Sequence, residues 1–324
     1  MQALVYHRYG HPDVLSLEDV DRPTINDDEV LVRVCAASVN SWDWERLQGT
    51  PWPNRIGGVL SPKYPILGAD VAGTVEAVGR HVRRFQPGDE VFGDLCRSGW
   101  GGFAEYTAAH EAALAPKPAR LSFEQAAAVP QAGCMALQGI RDDGQIQSGQ
   151  RVLINGAGGG VGTFAVQLAK TFGAEVTAVD STTKLDMMRS IGADTVIDYT
   201  QEDFAKNGRR YDLIVDSTAR RSVFSIRRSL TPRGIYVVIG GNGSSILQTL
   251  LLGRLIRAAA GQTMGLMLAN PNHDIGYLSE LLDSGKIAPV IDRIYPFREA
   301  PDAFRRIGEG RALGKLVITM TEAG

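Results

Sequence analysis

Three cysteines, Cys35, Cys96 and Cys134, are all that 324 residues carry, and no two stand at Cys-x-x-Cys spacing. That excludes a disulfide framework and a cysteine metal knuckle, and the three read as reduced thiols packed as small hydrophobes. Cys134 alone is placed to approach a cleft. An excess of one charge is missing too: 34 basic residues against 36 acidic ones leave a net charge of −2, so nothing points to nucleic acid. No run approaches the ~18 uninterrupted apolar residues of a membrane span. The opening MQALVYHRYG lacks the basic start and apolar run of a signal peptide, so a cytoplasmic protein is expected. Of the five histidines, His7, His11, His81, His110 and His273, none has a second histidine or a carboxylate at metal spacing. They read as solvated surface groups.

What is present is an ordinary globular composition, 44% hydrophobic and 22% charged, on a chain longer than the roughly 250 to 300 residues at which single cores stop growing. Two domains follow. Up to about residue 121 the chain reads as short strands punctuated by Gly and Pro, among them Glu29–Val34, Val71–Gly79 and Glu90–Gly93. That texture predicts a β-barrel-like lobe. From residue 122 to 287 strand and helix alternate, the pattern of parallel βαβ units. Strands are legible at Arg151–Asn155, Glu175–Asp180, Thr195–Asp198, Tyr211–Ser217 and Gly234–Gly241, with helices between them at Thr163–Phe172 and Lys184–Ile191. Ser245–Ala260 is apolar enough to predict a helix in the core, or one lying under a partner. After a helix near His273–Ser284, residues 288–324 regain β character, Val290–Tyr295 and Lys315–Thr319, and are expected to rejoin the first lobe.

The sharpest signal lies where the apolar strand Arg151–Asn155 runs into Gly156, Ala157, Gly158, Gly159, Gly160, Val161 and Gly162, and then into a helix. Glycines let the backbone turn tightly and approach a pyrophosphate, while the helix start offers unpaired N–H groups and partial positive charge. A lone glycine pattern is weak. Here the strand before it, the helix after it, and Asp180 closing the next strand 18 residues beyond Gly162 make it strong.

Together with the segments Ala36-Ala37-Ser38-Val39-Asn40-Ser41-Trp42-Asp43, Pro65–Val75, Gly101–Tyr106, Ser190–Asp194 and Gly314–Val317, this loop resembles the medium-chain dehydrogenase/reductase superfamily, in its zinc-independent quinone oxidoreductase-like branch. The resemblance implies an α/β architecture: a GroES-like β-barrel catalytic domain, 1–121 completed by 288–324, and a Rossmann doubly wound parallel-sheet domain, 122–287, with the active site in the cleft. Zinc-dependent relatives need a ligand cysteine where this chain has Ser38 to Asn40. They need a His-Glu pair where it has Ala69-Asp70, and a four-cysteine lobe near residues 93–103 where only Cys96 stands. No zinc is expected. Without a Lewis acid an unactivated alcohol is hard to oxidise, whereas a quinone or α,β-unsaturated carbonyl accepts hydride at carbon and needs only hydrogen bonds to its developing oxyanion. NAD(P)H-dependent reduction of such a conjugated carbonyl is therefore the expectation. Catalysis would be mostly juxtaposition in a water-poor site.

The resemblance places Asn40 beside nicotinamide and substrate, although Asn at a strand-to-helix connection also serves as a plain cap. Trp42, Trp52 and Tyr64 read equally as an aromatic wall for a flat acceptor or as core. Asp216 closes a strand at the sheet's ligand-binding edge. Ile239, Gly240 and Gly241 match the family's approach to the nicotinamide, and Lys315 matches a Gly-Lys pair reaching back to the cofactor. Asp180 favours NADH, but Ser181, Lys184 and Tyr199 fall where NADPH-using relatives hold the 2'-phosphate, so NADPH is expected with NADH possible. The apolar strand Gln262–Leu268 predicts an edge that a homodimer covers. A metal-free alcohol or aldehyde oxidoreductase, or a nucleotide-sensing protein with its cleft filled by Trp42 and Trp52, are the competing readings.

Overall fold

The strands of the Gly- and Pro-punctuated first third pair into sheets because a lone strand can satisfy neither its backbone N–H and C=O groups nor its apolar side chains. In the computed structural model, which describes residues 1–55 and 58–320, the chain divides into two units. The first holds Met1–Ala132, Pro271–Gly285 and Pro289–Gly324, and the second Gly133–Asn270 and Lys286–Ala288.

In the first unit β1 (Gln2–Val5) and β2 (Ser16–Asp19) form an antiparallel pair. The larger sheet runs β14 (Ile291–Pro296), β15 (Lys315–Thr319), β3 (Glu29–Val39), β4 (Asp70–Val78), β5 (Glu90–Asp94) and β7 (Ala115–Pro116), with β6 (Tyr106–His110) also on β3. As expected, the C-terminal strand returns: β15 lies antiparallel to β3, with Leu316 opposite Val39 and Thr319 opposite Ala36. The helices are α1 (Ser41–Gln48), α2 (Phe123–Ala127), the start of α3 (Pro130–Leu137), α8 (Ile275–Asp283) and α9 (Ala300–Gly308). Residues 122–132 and 271–285, expected in the second domain, thus belong with the first. The reasons are local: α2 packs on β3 and β4, the Asn272 amide bonds both the N–H and the C=O of Asp94 (2.8 Å each), and Arg120 donates to the Asp283 carbonyl (2.9 Å).

The second unit is a six-stranded parallel sheet in the order β10 (Thr195–Asp198), β9 (Glu175–Asp180), β8 (Arg151–Asn155), β11 (Tyr211–Asp216), β12 (Leu230–Val238), β13 (Thr263–Leu266). Strand order reverses between β8 and β11, the position at which open sheets of this kind bind ligands. There Asn155 lies opposite Asp216. The helices α4 (Gly160–Thr171), α5 (Leu185–Ser190), α6 (Val223–Arg228) and α7 (Gly243–Ala260) complete it. Val152, Leu153, Ile154, Phe164, Leu213 and Ile214 are fully buried or nearly so, as a sheet covered on both faces requires. Burial of each such side chain contributes about 1.5–3 kcal/mol.

The apolar stretch Ser245–Ala260 is core on one face only, where Ile256 is buried and Ile246 and Leu252 pack against the same cluster. It forms α7, and Leu247, Leu250, Leu251 and Leu255 are each more than half exposed, while Ser245, Thr249, Gly253 and Ile256 face inward. Close approach to β13 decides the orientation: a Cβ on Gly253 would come within 2.6 Å of the Met264 carbonyl oxygen, so only the small-residue face fits there. The buried Thr249 hydroxyl is satisfied within the helix by the Ser245 carbonyl (2.9 Å).

Candidate active site

At the carboxyl end of β8, Gly156 adopts a positive φ of 82° and opens the turn into α4. A Cβ on Gly162 would meet the Gly156 carbonyl oxygen at 2.2 Å, and one on Gly158 would meet the Lys184 side chain at 2.4 Å. Those glycines are required by the protein's own packing. Gly159, the N-cap of α4, is different: a Cβ there would touch nothing closer than 3.5 Å, and no side chain caps the helix. A helix start left uncapped beside open space suits an anion.

Asp180, at the end of β9, is turned to the loop rather than to solvent. Its carboxylate accepts from the backbone N–H of Gly158 (2.9 Å) and of Ser181 (2.8 Å), and Lys184 Nζ lies 3.5 Å away. The Lys184 charge therefore sits beside the loop, largely buried. Tyr199 follows β10, its ring half exposed and its N–H on the Asp180 carbonyl (3.1 Å). Ile239 and Gly240 follow β12, and Gly241, at φ 128°, leaves no room for a Cβ, which would strike the Thr218 carbonyl at 2.1 Å. Asp216 points inward: it accepts from the Asn155 amide (2.8 Å), the N–H groups of Thr218 (2.9 Å) and Ala219 (2.7 Å), and the Tyr236 hydroxyl (3.1 Å). Fully buried, it shapes the turn and has no capacity left for a ligand.

The first unit gathers a second polar group. Asn40 caps α1, its backbone N–H donating to Asp43 (2.8 Å), and its side chain donates to Asp70 (3.0 Å) and accepts from Lys315 Nζ (2.5 Å). Asp70 also accepts from Ser38 (3.0 Å), the Gln131 N–H (2.9 Å) and Lys315 (3.2 Å). Lys315, 2% exposed, gives two of its three ammonium N–H groups to Asn40 and Asp70. Nearby carboxyls feel the lack of water. Burial pushes Asp43 up to about 7, against the pull of its two backbone donors, Asn40 and Gly68. Burial and then the Asp70 charge push Asp94 up to about 6.

Residues 191–318 match the family described as zinc-binding dehydrogenase, and residues 26–119 the alcohol dehydrogenase GroES-like domain. The 2-methylene-furan-3-one reductase of Solanum lycopersicum is 36% identical over 98% of this chain and 79% of its own length. The chain belongs to the medium-chain dehydrogenase/reductase superfamily. Within it, the chloroplastic NADPH-dependent alkenal/one oxidoreductase of Arabidopsis thaliana is 33% identical over 98% of this chain and 79% of its own. The quinone oxidoreductase of Coxiella burnetii superposes with a TM-score of 0.87 at 29% identity, covering 99% of both chains.

Against that superfamily's zinc pattern, the donor set is distinctive. Asp70 stands where the His-Glu pair would, and it is already satisfied by an ammonium and three neutral donors. Among the described residues no three His, Cys, Asp or Glu groups are clustered to hold a metal. Cys134 is buried, Cys35 and Cys96 half-buried, and burial raises the Cys96 thiol well above its ordinary range. His7 and His81 do find carboxylates across the fold, Glu18 (3.0 Å) and Asp28 (3.4 Å), but with these side chains in solvent such pairs contribute little.

Of the three expected aromatics, two come together. Trp42 packs edge-on against Trp100 (5.4 Å) and donates to Asn54 (3.2 Å), and the Arg46 guanidinium lies over Trp42, Tyr64 and Trp100. Trp52 is 65% exposed in a short turn of helix and is not core. Sequence reasoning missed Asp70, Asp43, Gln131 and Trp100. For Asp70 a signal existed: an acid retained in register with a metal-ligand pair otherwise lost.

Proposed function

We propose that this oxidoreductase uses NAD(P)H, without zinc, to reduce a quinone or an α,β-unsaturated carbonyl. The observation that carries the reading is the uncapped start of α4 behind the Gly156–Gly162 turn, at the point where the strand order reverses. Backbone N–H groups there would hold the pyrophosphate, Ile239 to Gly241 would approach the nicotinamide, and Asp180, Ser181, Lys184 and Tyr199 would meet the adenosine ribose. The cofactor supplies the hydride. Because Lys184 neutralises Asp180, a 2'-phosphate meets little repulsion, which favours NADPH while leaving NADH usable.

Asn40 is the side chain assigned to the acceptor. An amide has two N–H donors, and Asp70 takes one; the second is available to the oxygen on which charge develops. Lys315, bonded to the amide oxygen, draws electron density from that donor and fixes its orientation, so it acts through Asn40 rather than on the cofactor. Trp42 and Tyr64 are the residues proposed to flank a flat substrate. The names of the relatives, an alkenal/one oxidoreductase and a furanone reductase, support the same acceptor class. A homodimer through β13 and a cytoplasmic location complete the proposal.

Following nicotinamide absorbance with NADPH and a panel of quinones, enones, saturated aldehydes and alcohols tests it. Turnover of quinones or enones, unchanged by chelators and with no stoichiometric zinc by elemental analysis, is expected. Turnover confined to aldehydes or alcohols would favour the metal-free alcohol/aldehyde reading, and nucleotide binding with no turnover the sensing one.

A further inference from the structure

A helix in a globular protein normally buries its apolar stripe. In α7 Ile246, Leu252 and Ile256 do pack on the core, but a second apolar row, Leu247, Leu250, Leu251 and Leu255, recurs at helical spacing along the outward face. Phe224 on the contacting α6 is also more than half exposed. Contiguous apolar surface of this kind marks an interaction site.

The surrounding charge identifies the partner. From Ser217 to His273 the sequence contains no aspartate or glutamate and seven arginines, in a chain whose net charge is −2. Among the described residues only Arg221 is paired, to Asp203 at 2.9 Å. The other six, Arg220, Arg227, Arg228, Arg233, Arg254 and Arg257, are all exposed. A two-fold contact centred on this face would bring the same patch against itself, setting arginine against arginine with no acid of the segment 217–273 to relieve it. Nucleic acid would answer the charge but leave the leucines in water. A surface that is anionic at its face and apolar just beneath satisfies both, and helices that lie in such an interface carry this combination.

We propose that α7 and the adjoining α6 dock peripherally on an anionic lipid bilayer, leucines entering the headgroup boundary and arginines meeting lipid phosphates. No helix among the described residues is long and apolar enough to cross a membrane, so attachment is to the surface.

Co-sedimentation with phosphatidylcholine vesicles, with and without phosphatidylglycerol, tests this. Binding to the phosphatidylglycerol vesicles is expected, and little to phosphatidylcholine alone. Leu250→Ser with Leu251→Ser should abolish it, and Arg254→Glu with Arg257→Glu should weaken it at least tenfold, both retaining the wild-type Tm and NADPH oxidation. Absence of binding to either vesicle overturns the proposal. So does binding that survives the leucine changes, which is attraction to any polyanion. So does a particle mass that drops on the leucine changes in light scattering, since a second copy then covers this face.

Discussion

Lys315 and Asp70 are both essentially inaccessible to water, and their ion pair is therefore more damaging to break than valuable to hold. Removing one partner leaves a buried charge uncompensated, which costs about 3–5 kcal/mol. Lys315→Met should lower stability by that order in urea denaturation, whereas Ser38→Ala, which removes one of several donors to Asp70, should cost about 1 kcal/mol. Asp43 behaves in the opposite sense. Its carboxyl keeps its proton in the fold up to about pH 7, while in the unfolded chain it ionises near 3.9. Its contribution is complete below pH 4 and is lost as pH rises through 7, a loss of the order of 4 kcal/mol. Asp94 acts in the same direction up to about 6. Denaturation from pH 4 to 8 should show stability falling across that window, with a shallower fall for Asp43→Asn. At the nucleotide end, loss of a charge-assisted bond of roughly 1.5–3 kcal/mol means that Lys184→Ala should raise the KM for NADPH about tenfold or more. The KM for NADH should change little. Asp180→Ser should sharpen NADPH preference; equal effects of Lys184→Ala on both cofactors would remove that lysine from the 2'-phosphate.

At the scale of the element, α7 shows how one small residue orients a helix. Its apolar residues alone would turn the leucines to the core, but the Met264 carbonyl stands where any side chain at 253 would go. Gly253→Val should push α7 off β13 and cost roughly 1–3 kcal/mol, as overpacking does, read as a lower Tm. Leu251→Gln on the opposite face should leave Tm within a degree or two or raise it slightly. If both changes destabilised equally, the outward face would be packed against something in solution.

For the whole molecule, the open edge of β13 is the feature to account for. It hydrogen-bonds β12 on one side only, and an exposed row of N–H and C=O groups invites pairing. Light scattering should give twice the chain mass of 34.9 kDa; a single-chain mass over a wide concentration range would rule out the dimer. Proline at Gly265, facing Val237 across the β12 pairing, should weaken that edge and shift the mass toward one chain.

Local pattern alone determined much of this protein. Strand–glycine–helix continuity around Gly156 to Gly162, the alternation of strand and helix beyond it, and the β character of 315–319 are properties of adjacent residues, and all appear in the fold. What the tertiary structure decided are matters of who stands next to whom. Lys315 was legible as part of a Gly-Lys pair but not as the partner of Asn40 and Asp70, because 275 and 245 residues separate them. Trp42 and Trp52 read alike in sequence, yet Trp100, brought in with positive φ, shelters one and leaves the other in water. The leucines of α7 read as core because periodicity records which residues share a face, not which face a neighbouring carbonyl will admit.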